Sequence, residues 1–149
     1  MKRQKRWLIG PIGPMGLMGL MGPMGLIGLI GFMSLLGCKQ PTPEELATLA
    51  AKGYYTHLAA GEYEHFLEGK AGADSLPADY REQLLVGCKQ FLMQQKERHQ
   101  GIVAVSAPRA QMDSTLQQMQ VFLILQYADS TQEEIVVPMV EHNGRWQMK

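Results

Sequence analysis

The side chains of this chain that could do chemistry near neutral pH are few: four histidines, five tyrosines and two cysteines. His57, His65, His99 and His142 include no pair at metal-ligand spacing such as i, i+4, and neither cysteine sits near a histidine. His57 and His65 could still converge in space. No metal site is expected. A proton-transfer site needs an acid or base in a pocket beside a Tyr or His. Tyr54, Tyr55, His57 and Tyr80 are the plausible set, with Phe91 and Trp146 as the aromatic walls of such a pocket. Tyr54 and Tyr80 fall on apolar helix faces that carry no Asp or Glu, which favours packing with the hydroxyl at the rim. Glu62, Glu64, Glu68, Asp79 and Glu82 read as solvated helix positions. Cys88 lies on an apolar stripe and reads as a small buried hydrophobe; Lys89 follows it but points elsewhere on the helix. The Gln-rich stretch 90–100 reads as a solvated face. No phosphate loop or nucleophile elbow follows residue 38, so no cofactor is expected.

The remaining cysteine is Cys38, and what precedes it is unlike the rest of the chain. Residues 1–6 carry Lys2, Arg3, Lys5 and Arg6, and no residue from Trp7 to Gly37 is charged. A basic start before an apolar run is a secretory signal pattern. Gly10, Gly13, Gly16, Gly19, Gly22, Gly25, Gly28 and Gly31 recur every third residue. Collagen would need more proline, a longer tract and polar outer positions. Three residues turn an α-helix by about 300°, so these glycines do not line a helix-dimer face either. The run ends Leu35-Leu36-Gly37-Cys38, which resembles the lipobox of bacterial lipoproteins. The resemblance implies a diacylglycerol on the Cys38 thiol and cleavage between Gly37 and Cys38. A retained transmembrane anchor and a signal cut elsewhere are the rivals; a retained span would more often carry basic flanking residues and no cysteine at its exit. Lys39 stands where some inner-membrane lipoproteins have Asp, so the outer membrane is the expected location.

The charges divide the same way. The whole chain balances 14 basic against 14 acidic residues, but all four basic residues before Cys38 lack an acidic counterpart. Residues 38–149 therefore hold ten basic and fourteen acidic side chains. An acidic body argues against nucleic acid or an anionic membrane surface as the main partner. Two cysteines cannot build a disulfide framework. The expected organisation is a signal at 1–37, a lipidated tether at 38–42 and one domain at 43–149.

The elements of that domain can be placed in turn. Thr42, Pro43 and Glu45 form a capping box with Pro at the first helical position. Leu46, Leu49, Ala50, Tyr54 and Leu58 then make a helical stripe, and Gly61 stops it. A short helix, Glu62 to Glu68, closes at Gly69. After a loop at 70–76, Pro77 opens a third helix that runs to about Gln100, with Tyr80, Leu84, Cys88, Phe91 and Leu92 on one face. The period then becomes two. Ile102 to Ala107 is β-rich and Pro108 breaks it. Met119, Val121, Leu123, Leu125 and Tyr127 are the inward members of a strand. Thr131 to Glu141 is the next, with Pro138 marking a bulge or edge. Asn143-Gly144 is a hairpin signal before a last strand with Trp146 and Met148. Asp74-Ser75, Asp113-Ser114 and Asp129-Ser130 fall in loops; they are ordinary turn chemistry, and they also resemble acceptors of a bacterial O-glycosylation system at Ser75, Ser114 and Ser130.

Three helices before about four antiparallel strands make an α+β domain with the helices on one face of the sheet. The first and third helices should supply the stripes that cover it. Tyr54-Tyr55 with Leu58, Gly61-Glu62-Tyr63, Val121-Phe122-Leu123, the turn Tyr127 to Thr131 and Asn143-Gly144-Arg145-Trp146 resemble the cone-like fold of the nuclear-transport-factor-two-like superfamily, over about residues 43–149. That superfamily includes enzymes, ligand binders and assembly modules, so fold fixes no function. The expectation is a lipid-anchored, non-enzymatic envelope protein that binds a small apolar ligand or a protein. The alternatives are a small isomerase or dehydratase using Tyr54 or Tyr80 with His57, and a purely structural lipoprotein whose cone is filled by Leu58, Phe66, Phe91 and Trp146.

Overall fold

The computed structural model describes residues 39–149, so Leu35, Leu36, Gly37 and Cys38 lie outside the described residues. Helix α1 spans Pro43–Ala59. Its start is the capping box that Thr42 and Glu45 spell. The Thr42 N–H donates to Glu45 Oε2 at 2.9 Å, and the Glu45 N–H donates to Thr42 Oγ1 at 3.2 Å. Helix α2 spans Tyr63–Glu68, a short 3₁₀ turn covers Ala73–Ser75, and helix α3 spans Ala78–His99. Gly69 follows α2 with φ −74°, so it is not a left-handed cap. Its role is space: a Cβ there would lie 2.4 Å from Cδ1 of the Tyr54 ring.

Strands β1 (Ile102–Asp113), β2 (Gln118–Tyr127), β3 (Gln132–His142) and β4 (Arg145–Met148) follow, and they pair antiparallel in sequence order. Pro108 does not break β1, contrary to expectation. Between Ser106, opposite Ile124, and Arg109, opposite Phe122, β1 carries one more residue than β2. The bulge takes up the position that cannot donate to the ladder. Pro138 sits inside β3, opposite Gln120 with no shift in register. Its carbonyl accepts from the Lys149 N–H at 2.9 Å. Both backbone groups of a ladder residue point to the same neighbour, so the missing N–H faces the end of β4 and not β2. The β3–β4 turn has Asn143 at φ 52° and Gly144 at φ 75°, the left-handed pair that a two-residue hairpin needs.

Alternation along β2 buries Met119, Val121, Leu123, Leu125 and Tyr127 on the helix side. Val137 and Met139 of β3, and Trp146 and Met148 of β4, join them. Over this face lies α1, which presents Ala47 and Ala51, both fully buried. Small residues at these points let the helix approach the sheet closely. The far edge of β4 is covered by the chain after α2: the Met148 N–H donates to the Gly69 carbonyl, and the Ala71 N–H donates to the Met148 carbonyl, both at 2.7 Å. An edge so covered cannot recruit another strand.

Helix α3 departs from expectation. Among the described residues it is the longest helix, at 22 residues, yet none of them is fully buried. Its stripe does not close onto the sheet as that of α1 does.

Candidate functional site

The standoff of α3 leaves a groove. One wall is Tyr55 and Leu58 of α1 with Phe66 of α2; the Tyr55 and Phe66 rings meet edge to face, centroids 5.4 Å apart. The opposite wall is Leu84, Gly87, Cys88 and Phe91 of α3, and Leu125, Ile135 and Val136 form the floor. Gln83, Gln95 and Glu133 are its polar members. The cavity measures about 520 Å³, within the range of small-molecule sites. Leu84, Cys88, Phe91 and Gln95 recur every three or four residues, so they share one face of α3. All four are half-buried.

Both ends of α3 are tied down while its middle spans the groove. Near its start, Arg81 Nε donates to Glu64 Oε2 of α2 at 3.1 Å. At its end, His99 Nδ1 lies 3.0 Å from Asp129 Oδ2 in the β2–β3 turn. The His99 ring also stacks on Tyr127, centroids 4.5 Å apart, and the His99 carbonyl accepts the Asp129 N–H at 3.2 Å. Bonds from Thr131 and then His99 hold the Asp129 carboxyl below its usual range.

The titratable groups of the groove are tuned toward neutrality. Burial pushes the Cys88 thiol up. Burial, and then the neighbouring Cys88, pushes the Tyr55 phenol up. Both are therefore uncharged at neutral pH. Below them the Tyr127 hydroxyl donates to Glu133 Oε2 at 2.8 Å. Burial first, and this bond second, push that phenol up to about 12. Among the described residues that line the groove, Glu133 is the one acidic side chain, and no Lys, Arg or His lines it. The arrangement suits an apolar body with a polar end.

Of the six residues the sequence offers for a pocket, Tyr55 and Phe91 line this groove, and Tyr54, His57, Tyr80 and Trp146 do not. Tyr54 points into the core, where its hydroxyl donates to the Trp146 carbonyl at 2.9 Å. Trp146 is itself core, 6% exposed. Tyr80, in the first turn of α3, is 45% exposed. His57 pairs with Glu62 just beyond the end of α1. The His57 bond, ahead of other causes, holds the Glu62 carboxyl below its usual range. His57 and His65 do converge, ring centroids 5.2 Å apart, but each Nδ1 is taken by a carboxylate, Glu62 and Glu68 respectively. Among the described residues no group of three or more His, Cys, Asp or Glu is placed to hold a metal ion, and no helix is long and apolar enough to cross a membrane. Leu58, Phe66 and Phe91 line the space and do not fill it. Ser75, Ser114 and Ser130 are exposed in turns; at the last two the preceding Asp accepts the N–H of the following Thr, Thr115 at 3.0 Å and Thr131 at 2.9 Å.

Sequence reasoning missed Gln95 and Glu133. For Glu133 a signal existed. It is two residues before Ile135 and four before Val137, so the alternation of β3 turns it to the helix side. It stands opposite Leu125.

No protein-family model matches the chain, and no curated protein matches it. Among solved structures, a Campylobacter jejuni protein described as an NTF2-like transpeptidase is similar to it. The two share 9% sequence identity at a TM-score of 0.51, over 66% of this chain and 92% of that one. At that identity the likeness concerns the fold alone: three helices and a four-stranded antiparallel sheet in an NTF2-like α+β arrangement.

Proposed function

We propose that this chain is a lipoprotein of the bacterial cell envelope whose NTF2-like domain is a non-enzymatic binding module for a small apolar ligand. The observation that carries the binding reading is the groove of about 520 Å³ beneath α3, walled by Tyr55, Phe66, Leu84 and Phe91. The sheet, α1 and α3 act as a cone around it. A protein that only needed to be a filled spacer would close α3 on the sheet, since burying each large apolar side chain is worth about 1.5–3 kcal/mol. The anchoring reading rests on sequence: Leu35-Leu36-Gly37-Cys38 after a basic start and an uncharged run. Several acyl chains on Cys38 hold the domain stably at a membrane, and Lys39 favours the outer one.

Each half has its own test. Metabolic labelling with a fatty-acid probe should mark the wild type and leave Cys38→Ala blank; equal labelling removes the anchor. For the groove, an uncharged solvatochromic dye such as Nile red should brighten on wild type. Gly87→Phe should abolish this without loss of melting temperature, because a Cβ at Gly87 meets nothing within 4 Å and the ring would enter the groove. Undiminished dye binding in Gly87→Phe would place the apolar site elsewhere.

A further inference from the structure

The groove has a sign as well as a shape. Among the described residues that line it there is no Lys, Arg or His, and one carboxylate, Glu133. Three aromatic rings, Tyr55, Phe66 and Phe91, line the same groove. Aromatic faces and a carboxylate both attract cations, and an ammonium ion combines well with both. An anionic head would meet Glu133 with no base to receive it. Glu133 accepts one bond, from Tyr127, on Oε2; a carboxylate has about four acceptor positions, so an ammonium donor can be served as well.

Resting on the binding reading above, we infer that the groove selects an amphiphilic amine: an apolar body with a protonated amino group set against Glu133. The occupant is a free small molecule and not a bilayer phospholipid. About 520 Å³ suits one small molecule, and a phosphate would find no basic group among the described lining residues.

Cys88 on the α3 wall is a built-in reporter, since an occupant covers it. The test uses the full chain carrying Cys38→Ser, which leaves Cys88 as its one thiol. Alkylation of Cys88 by N-ethylmaleimide is followed at neutral pH against phenylbutylamine, phenylbutanol and phenylbutyrate. The amine should protect at about two- to fivefold lower concentration than the alcohol, the scale of one exposed ion pair, and the carboxylate should protect worst. Glu133→Gln should bring the amine to the level of the alcohol and leave the alcohol unchanged. An alcohol that protects as well as the amine, or an amine advantage that survives Glu133→Gln, overturns the inference while leaving the groove a binding site. A phosphocholine-headed analogue that matches the amine overturns the choice of a free amine over a phospholipid. If none of the three protects a reactive Cys88, the binding reading fails with it.

Discussion

Helices α1 and α3 lie on the same side of the molecule and do different work. The shorter, α1, has 17 residues and buries Ala47, Ala51 and Leu58; α3 has 22 and buries none. The first is capped by a side chain at its N-terminus, whereas Pro77 before α3 makes no side-chain cap bond. The first meets the sheet through alanines; the second faces it through Leu84, Cys88 and Phe91 across a cavity. The difference teaches that apolar stripes have two uses. One that closes on its partner supplies stability. One that stands off forgoes part of that stability and leaves room for something else.

The largest expected effect sets the two stripes against each other. Met119 on β2 is fully buried in the α1–sheet core. Met119→Ala should cost about 2–5 kcal/mol in urea unfolding, as core truncations do. Leu84 on α3 is half-buried at the groove, and Leu84→Ala should cost less than about 1.5 kcal/mol, the order of a partial apolar burial. Equal losses would mean that α3 belongs to the core after all.

Next comes the contact that fixes α1 to the segment after α2. In Gly69→Ala the new methyl would sit 2.4–2.6 Å from three carbons of the Tyr54 ring. The ring has little room to retreat, because its hydroxyl is bonded to the Trp146 carbonyl. Overpacking of this kind costs about 1–3 kcal/mol. Calorimetry of Gly69→Ala should show a clear fall in melting temperature. The same substitution at Gly87 on α3, where a Cβ meets open space, should be neutral or stabilising, since alanine is the better helix former.

Local signals in the sequence proved legible where the physics was local. Thr42 and Glu45 read each other across one helical turn, and Asn143-Gly144 needs nothing beyond its own φ values. Alternation from Met119 to Tyr127 gave the inward face of β2 because period two is a property of one strand. What was not legible depended on a second element. Whether Pro108 ends a strand or enters a bulge depends on how β2 registers against it. Gly69 reads as a helix stop, yet its reason is a ring that comes from α1. The stripe of α3 shows that a face is apolar and says nothing of how far away its partner lies. For the same reason Trp146 and Phe91 looked equivalent as pocket walls, although Trp146 is core. Tyr55, next in sequence to Tyr54, is the one that faces the groove.

A smaller effect concerns the helix start itself. Thr42→Ala removes the acceptor for the Glu45 N–H and should cost about 1 kcal/mol. Because α1 is part of the core, the loss should appear in global unfolding. A loss confined to fraying of α1, seen by amide exchange without change in the denaturation midpoint, would show that the first turn is uncoupled from the sheet.

The smallest expected effect tests the far end of α3, and acid supplies the perturbation. Bonds from Thr131 and His99 depress the Asp129 carboxyl in the folded protein. A depressed acid contributes stability above its unfolded pKa, about 3.9, and the contribution is lost as pH falls through the lower folded value. Protonation removes the charge that faces His99. The bond from the Asp129 N–H to the His99 carbonyl survives it, so the end of α3 should loosen without detaching. Amide exchange read by mass spectrometry should therefore speed up in the last turns of α3 below about pH 4, while the amides around Met119 stay protected. Asp129→Asn should show that faster exchange already at neutral pH and gain little more on acidification. If acid instead released the β2 core and α3 together, α3 would not be the separable wall that its lack of buried residues implies.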